Sequence, residues 1–201
     1  MTGLRDRKKQ ALRQAIYDAA LKLFERDGYE AVSVAMITRE LKIAKGTFFN
    51  HFPTKADILA QWYETTMMAC LKAPLAPGLS PTERLVERIH GGGAQAAEAP
   101  ELWRAKNAEA PRTASIQAAD RTVDLALQDC LVEEIEAAIR AKVWRSDIAP
   151  AELADLVLAL ATGTWREVMV SNRAGEARDL LNARLATVRQ LCRLASPTTS
   201  P

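Results

Sequence analysis

The sequence predicts an all-α protein, and three observations carry that expectation. Alanine and leucine dominate, β-branched runs are short and only 5% of residues are aromatic, a composition that favours helix. Apolar residues recur at spacings of three and four along most of the chain. No stretch alternates apolar and polar residues as a half-buried strand does, and no internal repeat is visible. With 201 residues, 48% hydrophobic and 26% charged, the chain can bury the core of one domain or two small ones.

Ile16, Ala19, Ala20, Leu23 and Phe24 share one helical face, and Gly28 follows as a C-terminal stop. Ser33 is placed to cap a short helix with Val34, Ile37 and Leu41 inward. A tight turn at Lys42-Ile43-Ala44 leads to a third helix over about residues 45–51, with Phe48 and Phe52 pointing in. Pro53 ends it, and Thr54 caps a longer helix through Ile58, Leu59 and Trp62 to about Leu71. The segment APLAPGLSP, residues 73–81, reads as a linker. Pro81 opens a helix through Leu85, Val86 and Ile89 that Gly91-Gly92-Gly93 is expected to interrupt. A short helix follows over 101–108, broken at Pro111. A long amphipathic one then runs from about Thr113 through Ile135 to Val143. Two last helices, over 151–172 and 176–195, are separated at Gly175, and SPTTSP reads as a disordered tail. The domain reading is therefore 10–70, with a helix-turn-helix at 33–52, then 80–195, then a tail at 196–201.

Charge is uneven. Residues 1–60 carry eleven Lys/Arg against seven Asp/Glu, and residues 61–201 carry sixteen against eighteen. Arg5, Arg7, Lys8, Lys9 and Arg13 precede the first apolar stripe, so a polyanion partner is expected at that end. The longest apolar run, near Leu156 to Ala161, is too short to span a bilayer, and no apolar segment follows the basic N-terminus as in a signal peptide. Cys70, Cys130 and Cys192 are odd in number and form no CxxC pair, which suits reduced thiols and a cytoplasmic protein rather than disulfides or zinc.

Function concentrates in KIAKGTFFNHFPTK, residues 42–55. Two short helices joined by a tight turn, the second rich in Gly, Thr, Asn and aromatics, form a helix-turn-helix pattern. With Phe48 and Phe52 inward, Lys45, Thr47, Phe49 and Asn50 turn outward. Asn50 can bond a base edge, Thr47 a base or phosphate, and Phe49 a thymine methyl, while Gly46 allows close backbone approach. His51 and Lys55 are expected at phosphates. A purely structural hairpin would leave this exposed Thr-Phe-Asn cluster between lysines without a reason.

The order AIYDAALKLFERDGYEAVSVAMIT followed by KGTFFNHFPTKADIL resembles the N-terminal domain of the tetracycline-repressor (TetR) family of bacterial transcription regulators. The resemblance covers about 50 residues; the rest is similar in architecture only. It implies a repressor that leaves a palindromic operator when a small apolar or aromatic molecule binds, acting as a homodimer without a cofactor, a metal or enzymatic activity. The DNA-contacting set is then Ser33, Lys45, Gly46, Thr47, Phe49, Asn50, His51 and Lys55. Three positions depart from the family pattern. Lys42 stands where glycine is usual in the turn, Leu41 where alanine is usual, and Phe49 where tyrosine would bond a phosphate.

Met67, Cys70, Trp103, Trp144 and Trp165 are the candidate effector-binding residues, because thioether, thiol and aromatic groups suit apolar ligands. Leu160, Gly163, Thr164, Val168, Leu181, Leu185 and Val188 are the candidate dimer surface, two helices from each chain forming a four-helix bundle. Two other readings remain. A ligand-binding scaffold without operator binding would follow if the turn departures blunt recognition. A small hydrolase would use His90-Gly91-Gly92-Gly93 as an oxyanion loop, but no GxSxG turn supplies a nucleophile.

Overall fold

The computed structural model describes residues 3–144, 147–171, 173 and 176–194. Among these residues there are nine α-helices and no strand. They are α1 Leu4–Asp27, α2 Val34–Glu40, α3 Lys45–Phe49, α4 Ala56–Lys72, α5 Pro81–Glu98, α6 Pro100–Glu109, α7 Ala114–Arg140, α8 Pro150–Val170 and α9 Ala177–Leu194, with a 3₁₀ turn Ala110–Arg112. Gly175 and the tail at 196–201 lie outside the described residues.

The local signals place the helix ends. Gly28 stops α1 with φ 83° and its N–H on the Phe24 carbonyl. The Ser33 hydroxyl accepts from the Met36 N–H at 3.3 Å and caps α2. Thr54 and Asp57 form a capping box at the start of α4. The Thr54 N–H donates to Asp57 Oδ2 at 2.7 Å, and the Asp57 N–H donates to Thr54 Oγ1 at 3.3 Å. Ser80 and Glu83 repeat the device before α5. Three helices open on Pro81, Pro100 and Pro150, where the missing N–H costs nothing.

Two expectations fail, the first for a long-range reason and the second for a local one. Gly91-Gly92-Gly93 does not interrupt α5, which runs on to Glu98. The glycines are there for space: a Cβ on Gly92 would lie 2.5 Å from Met67 Cε, and one on Gly93 only 1.6 Å from the Trp165 ring. The third helix is also shorter than expected. It ends at Phe49, because the His51 N–H turns back to the Phe48 carbonyl at 2.9 Å and Pro53 bars continuation.

The described residues fall into two compact units, one within Met1–Thr65 and Ala99–Asp120, the other within Thr66–Glu98 and Arg121–Pro201. Sequence reading puts the boundary in the proline segment 73–81. Packing instead divides the chain inside α4 and α7 and groups α6 with the N-terminal helices. The first unit buries Ile16, Ala20, Leu23 and Phe24 of α1 with Ile37, Phe48, Phe52, Ile58 and Leu59, and α6 packs on α1. Three cations close this core over aromatic rings: Arg13 over Phe52 at 4.0 Å, Lys55 over Tyr29 at 4.0 Å and Lys106 over Tyr63 at 4.1 Å. The second unit centres on Leu85 and Ile89 of α5, Leu131 and Ile135 of α7, Val157 of α8 and Leu181 and Leu185 of α9.

Candidate nucleic-acid interface

The turn between α2 and α3 decides whether α3 is presented at all. Lys42 takes φ 54°, the left-handed conformation. Its N–H bonds the Arg39 carbonyl at 3.2 Å, and the Ile43 N–H bonds the Thr38 carbonyl at 3.0 Å. That pair of bonds is a Schellman cap with lysine in the place glycine usually takes. The left-handed backbone costs about 1–2 kcal/mol for a side chain with a Cβ. The turn keeps its geometry, and Leu41 accommodates it half-buried.

Phe48 is fully buried and seats α3 on the core, with Phe52 buried after it. The opposite side carries Lys45, Gly46 and Asn50, all exposed, and Phe49 with half its surface in solvent. Phe49 stands at 87° to Phe48, with ring centroids 5.4 Å apart, so its outward pose is braced from below. Thr47 is half-buried at the edge of this face, and nothing lies within 4 Å of where a Gly46 Cβ would be. Ser33 is exposed, with its hydroxyl already accepting at the α2 cap. His51 is half-buried and its carbonyl accepts from Arg13. Burial first, then Lys9 and Arg13, hold its imidazole below the usual range, so the ring is mostly neutral at pH 7.

Lys55 sits differently from the sequence expectation. Its ammonium turns inward, donating to the Tyr29 carbonyl at 2.8 Å and the Val32 carbonyl at 3.1 Å. It ties the loop between α1 and α2 to the start of α4 instead of reaching outward. Arg13, read from sequence as one more cation of the basic segment, donates to the His51 carbonyl and to Gln61 Oε1 at 2.6 Å. Both placements carry a sequence signal. Arg13 precedes Ile16 by three and Ala20 by seven; Lys55 precedes Ile58 by three and Leu59 by four. Each cation extends an apolar stripe and folds its stem along it.

The effector candidates separate. Met67 is buried against Gly92, Cys70 lies beside Gly91, and Trp165 covers Gly93 with His90 6.2 Å away, all in the second unit. Burial pushes the Cys70 thiol up, which keeps it protonated. Trp144 belongs to the core of that unit and donates to Thr82 Oγ1 at 3.0 Å. Trp103 belongs to the first unit, against the edges of Trp62 and Tyr63. His90-Gly91-Gly92-Gly93 lies within a helix, so its amides face along the helix and form no oxyanion loop.

The dimer candidates separate as well. Thr164, Val168, Leu181, Leu185 and Val188 are buried within a single chain, where α8 packs on α9. The Thr164 hydroxyl donates to the Leu160 carbonyl and accepts from Arg184, both at 2.7 Å. Those side chains build the α8–α9 pair itself. Of the set, Gly163 is exposed and Leu160 half-buried; Leu156 and Ala159 of α8, and Ala183, Ala186 and Thr187 of α9, are exposed too.

Comparison with known proteins agrees with this geometry. The family model described as bacterial regulatory proteins, tetR family, matches residues 16–61, which span the second half of α1, all of α2 and α3, and the start of α4. The uncharacterized HTH-type transcriptional regulator YuxN of Bacillus subtilis is 48% identical over 44 residues, 22% of this chain and 15% of its own length. An HTH-type transcriptional regulator of Staphylococcus aureus is 44% identical over 46 residues, 23% of this chain and 25% of that one. The chain thus matches a quarter or less of these relatives' length. Whole-chain likeness comes from solved structures, at identities that establish the fold. The Thermus thermophilus repressor FadR in complex with lauroyl-CoA superposes with TM-score 0.70 at 20% identity, covering 94% of this chain and 98% of its own. A transcriptional regulator from Saccharomonospora viridis in complex with choline gives 0.66 at 22% identity, covering 87% and 95%. No helix among the described residues is long and apolar enough to cross a membrane. Residues 16–61 thus match the helices that the tetR family model of bacterial regulatory proteins describes, and the chain as a whole shares the fold of these solved regulators.

Proposed function

We propose that this chain is a sequence-specific DNA-binding transcriptional regulator, a repressor that binds a palindromic operator as a homodimer and leaves it when a small apolar or aromatic ligand binds. The observation that carries the reading is α3, seated by Phe48 and presenting Lys45, Gly46, Phe49 and Asn50 to solvent. A helix of five residues is about 7.5 Å long and reads few bases, so two copies on a two-fold site supply the missing specificity. The copies would meet through the exposed small residues of α8 and α9 around Gly163 and Ala186, where backbones can approach closely. The scaffold reading loses its main support, because Lys42 holds the turn in its Schellman form.

For the effector we propose the face of α5 where Gly91, Gly92 and Gly93 meet Cys70, Met67 and Trp165. Its groups are apolar, aromatic and thioether in character, with His90 as the polar neighbour. α4 carries Met67 and Cys70 as well as Ile58 and Leu59 of the N-terminal core, so displacement at one end is felt at the other. A tenfold change in operator occupancy needs only about 1.4 kcal/mol of differential binding.

The test is selection of bound sequences from a random DNA pool at about 150 mM salt, which suppresses purely electrostatic binding. An enriched palindrome is expected. Asn50→Ala should then lose about 1–3 kcal/mol of discrimination per half-site while keeping random-sequence affinity. Equal loss on selected and random DNA would remove Asn50 from base reading.

A further inference from the structure

The first turns of α1 bury nothing. Every residue from Leu4 to Ala11 is exposed, and the buried stripe begins only at Ile16. These turns are helical, and they hold Arg5, Arg7, Lys8 and Lys9 against the single acid Asp6. A helix end that packs on nothing of its own unit and is this basic suits a polyanion.

Its position beside α3 says which polyanion. Arg13 fastens α1 to the end of the recognition segment, through the carbonyl of His51, next to Asn50. Lys9 precedes Arg13 by four residues and Arg5 precedes it by eight, so both lie on the same face of α1. They stand about 6 Å and 12 Å further along the axis. The Arg13 bond to the His51 carbonyl, two residues beyond the end of α3, anchors this row beside the recognition segment. The cations therefore lead away from the residues that meet the groove, at a spacing that suits the phosphates of one strand.

We propose that the N-terminal turns of α1 are a second DNA contact, in which Arg5, Lys8 and Lys9 meet backbone phosphates flanking the groove occupied by α3. The proposal rests on the DNA-binding reading. Phosphate contacts carry no base information, so this element sets affinity and register while α3 sets sequence. Because it is helical before binding, it needs little further ordering on the duplex.

The test is fluorescence anisotropy of the full chain on a random-sequence duplex across a salt series. Arg5→Ala with Lys9→Ala is compared with a charge-matched control, Lys22→Ala with Lys72→Ala, both exposed lysines elsewhere. Each lost phosphate contact should lower the log–log salt slope by about 0.9, so the double variant should fall by about 1.8 per subunit and the control not at all. Lys9→Arg should keep the parent slope, and circular dichroism of the parent should be kept by all variants, since the substituted side chains are exposed. The same base preference should emerge from site selection with the double variant. A parent that binds duplex DNA while the double variant keeps its slope overturns this proposal alone. A parent that binds no duplex overturns the DNA-binding reading and this proposal with it.

Discussion

Gly93→Ala and Gly91→Ala are the same chemical change two residues apart in one helix, yet they should have opposite effects. In an exposed helix interior, alanine is favoured over glycine by about 1 kcal/mol. At Gly91 the new methyl would meet only Cys70 Cβ at 3.9 Å, an ordinary contact, so most of that gain should be realised. At Gly93 it would stand 1.6 Å from both Cη2 and Cζ2 of Trp165 and 2.1 Å from Cε2. Non-bonded carbons need about 3.5–4.0 Å, so the indole must retreat by about 2 Å. Overpacking of this kind costs about 1–3 kcal/mol, and the clash here calls for the upper end, leaving a net loss of about 2 kcal/mol after the helix gain. The two variants should therefore differ by about 3 kcal/mol, or about 6–12 °C in Tm for a chain of this size. Urea and thermal melts followed by circular dichroism, at one protein concentration, measure it. Trp165→Leu in the Gly93→Ala background should recover part of the loss, because the two residues are in contact. If Gly93→Ala melts with or above Gly91→Ala, the close packing of Trp165 on α5 is wrong, and with it the proposed effector face.

Other substitutions test the N-terminal unit. Lys42→Gly should raise its stability by about 0.5–1 kcal/mol, the left-handed penalty less the greater unfolded-state entropy of glycine; no gain in a denaturant melt would mean that the turn is not left-handed. Lys55→Met should destabilise the fold by about 1–3 kcal/mol through the two unpaired carbonyls of Tyr29 and Val32. Its DNA-binding salt slope, measured where the variant is folded, should match the parent, since the ammonium points inward. Asp120→Ala should cost about 3 kcal/mol, because Lys106 is buried and Asp120 is its ion-pair partner. Lys106→Met with Asp120→Ala should be less damaging than Asp120→Ala alone, and the reverse order in chemical denaturation would show that the pair does not act as a unit.

The residues that announce themselves locally are the ones the sequence alone determined. A helix end needs a cap within four residues, and a buried face needs only the period of 3.6. Gly28, Ser33 and Thr54, the inward Phe48 and Phe52, and the outward Lys45 and Asn50 are thus legible from residue order and spacing. Tertiary structure decided what depends on partners far along the chain. Gly91-Gly92-Gly93 reads as a helix break until Met67 and Trp165 are seen to occupy the space where side chains would be. Leu181, Leu185 and Val188 read as a dimer surface until α8 and α5 are seen to bury them. The cations lie between these cases. Arg13, Lys55 and Lys106 each extend an apolar stripe, which marks their stems for burial. Their charged ends, however, go to the His51 carbonyl, the Tyr29 and Val32 carbonyls, and Asp120, and no local pattern names those partners. Periodicity reports the face a side chain leaves from; only the assembled fold supplies the group that meets it.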